Sequence, residues 1–228
     1  MKVKVLASGS DGNVTVVRSG DKMILIDCGK SYTWVMGKLN HELPDAVLIT
    51  HEHCDHSHAV KQFLKRQVRV YMTRGTADAL KLEWSYNLHI IVGNNPFVIG
   101  ELHVYPFPAA HDAKEPVNFI LVDFEGDTID RVLFVTDTGK TPPVTGTGYT
   151  KIFIEANYST PVLMQSDLEP RVKERILNNH LSIENAMKFL ANHPNAEKTL
   201  LHISKRHGNE AEFYRRIRNE EGESNLSL

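Results

Sequence analysis

The sequence predicts an α+β fold of two packed mixed β-sheets flanked by helices. Two observations predict it. Short alternating apolar runs are grouped as hairpins between glycine-containing turns, and helical periodicity is gathered in the middle and at the end of the chain. A third observation sets the scale: 228 residues suffice for one domain with a substantial core, so residues 1–228 are expected to form a single domain.

Taken in order, Lys2–Leu6 alternates as a first strand. Ala-Ser-Gly-Ser-Asp-Gly-Asn then makes a turn, and Val14–Arg18 and Met23–Ile26 follow as hairpin strands. Ser31–Leu39 reads as a short helix. Ala46–Thr50 is a compact apolar strand running straight into His51. Asp55–Arg66 has helical spacing at Val60, Phe63 and Leu64, with Asp55 as its N-terminal residue. Arg69–Thr73 is expected to be a strand and Thr76–Leu82 a helix. Further strands are expected at His89–Val92, Phe97–Phe107, Val117–Phe124, Arg131–Thr136, Lys151–Glu155 and Thr199–Ile203. Further helices are expected at Pro161–Leu177, Ser182–Ala191 and Glu210–Asn219, and the polar stretch after Glu220 is expected to fray.

Composition narrows the function classes. Hydrophobic residues make up 41% and charged residues 24%, as in a soluble globular protein, and no apolar run approaches the roughly 20 residues that cross a bilayer. The opening MKVKVLASGSDGN lacks a signal-peptide apolar stretch, and only Cys28 and Cys54 are available for disulfides, so a cytoplasmic location is expected. A net charge of −2 supplies no global field to attract nucleic acid.

The chemistry is concentrated in Thr50-His51-Glu52-His53-Cys54-Asp55-His56. On an extended backbone, side chains at i and i+2 point the same way, so His51 and His53 face one metal ion together. As the chain turns into a helix, Asp55 and His56 project toward a second. Imidazole and carboxylate suit zinc, manganese or iron better than calcium or magnesium. The competing reading, a histidine-rich polar loop, does not account for three His and one Asp in six residues directly after an apolar strand.

This His-x-His-x-Asp-His run resembles the signature of the metallo-β-lactamase superfamily, whose fold is an αββα sandwich. The resemblance extends along nearly the whole chain. It implies that His111, in Pro-Ala-Ala-His-Asp, is the next ligand, and that Asp137, in Leu-Phe-Val-Thr-Asp-Thr-Gly, bridges two metals. It implies that Asp27, in Leu-Ile-Asp-Cys-Gly, supports the metal loop from behind. One ion would take His51, His53 and His111. The other would take Asp55, His56 and a further His, with the bridging carboxylate neutralising two dications about 3.5–4 Å apart. A water between them would be hydroxide near neutral pH and serve as nucleophile.

Two His-(Leu/Ile)-Ser motifs, Asn179-His180-Leu181-Ser182 and Leu201-His202-Ile203-Ser204, resemble those of ribonuclease Z and related phosphodiesterases. That resemblance implies His180 as general acid, His202 as the remaining metal ligand, and Glu155, in Ile-Phe-Ile-Glu-Ala-Asn, as the carboxylate orienting the acid. His180, Glu155 and Asp55 are thus the catalytic candidates. A carboxylate beside an imidazole raises its pKa and fixes its tautomer. The opening Ala-Ser-Gly-Ser-x-Gly-Asn, the Glu-Ala-Asn segment and His-Ile-Ser-Lys-x-His are most similar to the YycJ/WalJ group of exonuclease-like proteins. The nucleic-acid-clamping insertion of the larger ribonuclease J type has no room here. Ser57-His58-Ala59 lacks the glycine frequent in the superfamily, which leaves the start of the following helix open.

Other features have two readings. Ser8, Ser10 and Asn13 either present donors to a substrate phosphate or belong to an ordinary hairpin turn. His207, with Lys205 and Arg206, either contacts phosphate or is solvated. Trp34 and Trp84 read first as helix-packing anchors and second as base-stacking platforms. Cys54 is a bystander and Cys28 a buried small apolar residue. His58 lies close to the metal loop without ligating, and His41, His89, His103 and His193 are structural or exposed.

The expectation is a binuclear metal-dependent phosphodiesterase using two divalent ions, zinc or manganese. It is expected to act as an exonuclease-like nuclease on a DNA or RNA partner without a membrane; the sequence does not set the oligomeric state. A hydrolase of small phosphodiesters such as cyclic nucleotides is the alternative, which the charge of −2 would suit. A thioester or lactone hydrolase has less use for a dedicated acid. A metal-binding regulator without turnover has no use for one at all.

Overall fold

Val, Ile, Leu and Met crowd the early strands, and these strands build a sheet buried on both faces over most of its width. The computed structural model describes residues 1–125, 128–144 and 146–224, with the side chains of residues 125 and 220–224 outside that description. The strands form two six-stranded sheets flanked by helices, as expected. The chain divides into two compact units, residues 1–108 with 112–130, and residues 109–111 with 131–228.

In the first unit, β1 (Lys2–Ala7), β2 (Val14–Ser19) and β3 (Lys22–Ile26) form an antiparallel meander. β4 (Ala46–Leu48), β5 (Arg69–Thr73) and β6 (Leu88–Ile91) continue the sheet in parallel, giving the order β1-β2-β3-β4-β5-β6. Helices α1 (Tyr32–Lys38), α2 (Cys54–Ser57), α3 (Val60–Lys65) and α4 (Arg74–Ala79) supply the crossovers. Val35, Met36, Val60 and Phe63 of these helices pack with Leu25, Val47, Ile49 and Val70 in one buried cluster. The same unit holds the antiparallel strands β7 (Phe97–Ile99), β8 (Leu102–Pro108) and β9 (Val117–Glu125).

In the second unit, β10 (Thr128–Val135, entering from residue 131), β11 (Lys151–Glu155) and β12 (Glu197–Leu201) run parallel. They complete the second sheet in the order β12-β11-β10-β9-β8-β7. Helices α5 (Thr160–Gln165), α6 (Pro170–Asn179), α7 (Ile183–Leu190) and α8 (Glu210–Ser224) accompany them. No helix among the described residues is long and apolar enough to cross a membrane.

Three expected elements are divided. The strand expected over residues 97–107 is a hairpin, because Gly100 turns at φ +61 and Ile99 pairs with Leu102. The helix expected over 161–177 is two helices: α5 ends at Ser166, whose ψ of 159 is extended, and Glu169, held extended at ψ 146 by the following proline, caps α6, which Pro170 opens. The helix expected over 55–66 is two helices, since the Ala59 N–H leaves the helical ladder to donate to the Cys28 carbonyl at 3.0 Å. His53 rather than Asp55 is the cap, and Asp55 lies in the first turn. Most remaining ends shift by a few residues. Trp34 packs partly buried against the first core, but Trp84 is 86% exposed and anchors no helix. Cys28 is fully buried, and burial beside Asp27 pushes its thiol upward, so it is an inert core residue.

Candidate functional site

In both units the candidate residues sit at the carboxyl ends of adjacent parallel strands, where open α/β sheets place their ligands. In the first unit Asp27 follows β3 directly, and His51 comes three residues after the end of β4. In the second, Asp137 follows β10 by two residues, Glu155 ends β11, and His202 follows β12. Asp27, Asp137 and His202 adopt left-handed backbone conformations, with φ of 60, 43 and 51. Non-glycine residues adopt that conformation only where their surroundings hold it.

The histidine loop of the first unit, residues 51–56, is held from behind by Asp27 and Thr50. Asp27 is buried, and His56 Nδ1 donates to its Oδ2 at 2.7 Å. The Thr50 N–H and hydroxyl donate to its Oδ1 at 2.9 and 3.0 Å. Burial raises the Asp27 pKa, while the His56 imidazole and the Thr50 donors pull it back. The Thr50 hydroxyl also lies 3.0 Å from His51 Nδ1. Because the Asp27 carboxylate accepts from Nδ1, Nε2 is the unprotonated nitrogen of a neutral His56. His51 Nε2 and His53 Nδ1 converge to 3.1 Å, as expected of side chains at i and i+2 on extended chain. Asp55 Oδ2 lies 3.5 Å from His56 Nε2.

The loop cannot move independently of the residues 27–29. Cys28 N–H donates to the His56 carbonyl at 2.8 Å, and Asn13 N–H to the Asp55 carbonyl at 2.7 Å. A Cβ on Gly29 would lie 1.6 Å from the Asp55 carbonyl oxygen. Gly29→Ala is therefore expected to destabilise the fold by about 3 kcal/mol or more, seen as a lowered urea midpoint with unchanged m. An unchanged midpoint would mean that this packing is dispensable. Asn13, expected to meet substrate, has its side-chain amide engaged with the Gly9 backbone, the Asp55 carbonyl and His56 Nε2. It ties the opening turn to the metal loop. Ser10 is exposed in that turn. Cys54 Sγ stands 3.4 Å from His58 Nδ1, on a helix between ligand candidates.

The second unit gathers the remaining candidates. His111 Nδ1 donates to the Asn179 carbonyl at 2.9 Å, which directs Nε2 toward Asp137 Oδ2, 3.6 Å away. Burial lowers the His111 pKa despite Asp137 nearby, which favours its neutral imidazole. His202 Nδ1 lies 3.3 Å from Asp137 Oδ1, and Asn157 Nδ2 donates to the His202 carbonyl at 2.8 Å. Glu155 is completely buried. It accepts from His180 Nδ1 at 2.7 Å through Oε1, and from the Thr138 and Leu181 N–H groups at 2.9 and 3.1 Å through Oε2. Burial alone would raise its pKa, but His180, by charge and hydrogen bond, and then His202 hold it below the usual carboxylate value. Burial likewise opposes a charge on His180, but Glu155 and then Asp137 outweigh it and raise its pKa. Asp137, Glu155, His180 and His202 each offer an atom within 4.8 Å of the others. His207 belongs to a separate turn, where the Ser159 N–H donates to its carbonyl at 2.9 Å.

Sequence reasoning missed Thr50, Asn157 and the Asn179 carbonyl. Thr50 and Asn157 stand inside motifs already singled out, and a neighbouring hydroxyl or amide was the available signal. A backbone carbonyl leaves no signal in residue identity.

A sequence model of the Beta-lactamase superfamily domain matches residues 22–203. Among curated relatives, the chain is 29% identical over 213 residues to an exodeoxyribonuclease WalJ of Streptococcus pneumoniae, covering 83% of this chain and 75% of that protein. It is 28% identical over 210 residues to an exodeoxyribonuclease YycJ of Bacillus anthracis, covering 82% and 75%. The metallo-beta-lactamase fold protein YhfI from Bacillus subtilis superposes with a TM-score of 0.71 at 16% identity, over 95% of this chain and 92% of that one.

Proposed function

Because the chain belongs to the beta-lactamase superfamily, we propose that this metal-dependent hydrolase is a phosphodiesterase, and specifically an exonuclease-like nuclease acting on DNA or RNA. The observation that carries the reading is the His180–Glu155 pair at 2.7 Å, an imidazole made more basic by a fully buried carboxylate. A natural phosphodiester has an alkoxide leaving group that needs a proton, and such a pair supplies one. A thioester or lactone hydrolase gains little from it. The names of the curated relatives support the same class.

The proposed ligand set is His51, His53, Asp55, His56, His111, Asp137 and His202. It would hold two divalent ions, zinc or manganese, with Asp137 a ligand to both. The donors fit such ions: acceptors on Nδ1 of His56 and His111 leave their Nε2 atoms as the unprotonated nitrogens. When bound, the ions supply Lewis acidity and lower the pKa of water. Asp27 and Thr50 hold the imidazoles of the metal loop in place. Asn157 fixes the strained turn at His202. His180, with one proton pinned on Nδ1 by Glu155, delivers the proton on Nε2 to the departing oxygen. Ser8, Ser10 and His207 are proposed to meet substrate phosphates. Residues 1–228 are read as one functional domain acting in the cytoplasm.

The net charge of −2 favours a second reading, hydrolysis of small phosphodiesters such as cyclic nucleotides. The class is tested by supplying manganese or zinc and comparing bis(p-nitrophenyl) phosphate, a cyclic nucleotide, a thioester and a lactone. Turnover of phosphodiesters alone is expected. Turnover confined to the thioester or lactone would contradict the proposal.

A further inference from the structure

Helix α6, Pro170–Asn179, has half-buried side chains at most and none that is buried. A helix usually owes its place to an apolar face packed in a core, so close backbone contacts at its ends weigh more in placing α6. Its C-terminal end matters most, because the residue that caps it is His180.

That end meets the turn after β10. A Cβ on Gly139 would lie 1.8 Å from the Asn178 carbonyl oxygen, 2.3 Å from its carbonyl carbon and 2.9 Å from the Asn179 nitrogen. All three are backbone atoms, which cannot swing aside as the tip of a long side chain would, so the approach requires glycine. The chain beyond the contact runs into the site. The Asn179 carbonyl accepts from His111 Nδ1 at 2.9 Å, His180 Nδ1 donates to Glu155 Oε1 at 2.7 Å, and the Leu181 N–H donates to Glu155 Oε2 at 3.1 Å. The turn itself has its own ties: the Gly139 N–H donates to the Ala110 carbonyl at 2.7 Å and the Thr138 N–H to Glu155 Oε2 at 2.9 Å. Glu155 Oε2 thus takes one N–H from the turn and one from the residue just past His180. All of these residues belong to the second unit.

We propose that Gly139 is a positioning residue for the acid His180. Its missing side chain lets the end of α6 seat against the turn, and that seat sets where the imidazole starts. Glu155 then fixes the Nδ1 side of the ring. A Cβ at position 139 would drive residues 178–180 away by on the order of 1 Å, a misplacement large enough to disable a proton transfer. The inference rests on the reading of His180 as general acid and extends it to the residue that seats it.

The test measures kcat and KM for a labelled single-stranded 20-mer and for bis(p-nitrophenyl) phosphate in wild type, Gly139→Ala, His180→Ala and the double variant. Saturating metal keeps any weaker hold on His111 out of the comparison. Gly139→Ala is expected to lower kcat on the 20-mer at least about tenfold with KM within about threefold, and kcat on the activated ester by about threefold at most. Added to His180→Ala, it should cost no more than about a further twofold on the 20-mer, because the two changes remove one function. Asn178→Gly loosens the same helix end without a clash and should give the pattern more weakly; it decides the matter if Gly139→Ala does not fold. Equal slowing of both substrates, or full additivity with His180→Ala, would overturn the positioning role and leave the acid in place. If wild type leaves the 20-mer intact, or His180→Ala shows no dependence on leaving group, the underlying reading falls and takes this inference with it.

Discussion

His180→Ala is expected to keep the fold and the metal content while losing roughly 10²–10⁴-fold in rate on a natural phosphodiester. The loss should be much smaller on a p-nitrophenyl ester, whose leaving group is stable without a proton. This dependence on leaving group separates an acid from a ligand, because loss of a metal ligand slows both substrates. Glu155→Gln should reproduce the pattern more weakly. The carboxylate favours the imidazolium, so its removal lowers the His180 pKa, and the alkaline limb of the pH–rate profile should move to lower pH. His202→Ala should instead deplete metal and slow both substrates alike. Metal loss in His180→Ala with full retention in His202→Ala would reverse the two assignments. In the second unit His180 Nδ1 lies 2.7 Å from Glu155 Oε1, and His202 Nδ1 lies 3.3 Å from Asp137 Oδ1 and 3.4 Å from Glu155 Oε1.

Asp137→Ala is expected to have an effect at least as large, about 10³-fold or more on every substrate, because a shared carboxylate contributes to both ions and to several kcal/mol of charge stabilisation. Elemental analysis of metal-reconstituted wild type should approach two equivalents per chain and fall in Asp137→Ala and in His51→Ala. A wild-type stoichiometry saturating at one would remove the bridging role. Asp137→Ala also removes a side chain that accepts from the Thr136 hydroxyl, so Asp137→Asn, which keeps the shape, controls for local structure.

Much of this was legible in the sequence because the chemistry follows strand ends. The apolar runs that predict β4, β10, β11 and β12 also place His51, Asp137, Glu155 and His202, since a parallel strand hands its next residue to the ligand edge of the sheet. Each fixed offset, two residues from His51 to His53, survives folding as a 3.1 Å approach between ring nitrogens. What was not legible came from contacts distant in sequence or invisible in residue type. The break between α2 and α3 depends on a carbonyl of Cys28, some thirty residues upstream. Asn13 reads as a phosphate donor in its own turn, but the Asp55 carbonyl and His56 ring that engage it arrive only on folding. The helix expected over 161–177 kept its apolar spacing across Pro170, and the pattern outweighed a residue whose ring forbids continuation. Trp84 was misread because aromatic size suggests burial, whereas the loop between α4 and β6 leaves it exposed.

The most direct test of the central claim uses single-stranded DNA and RNA, each labelled at the 5′ or the 3′ end, with metal-loaded protein and with the same protein in EDTA. The account predicts metal-dependent release of short products from at least one of these strands, abolished by EDTA and strongly reduced by His180→Ala. Intact strands alongside efficient turnover of a cyclic nucleotide, a thioester or a lactone would contradict it.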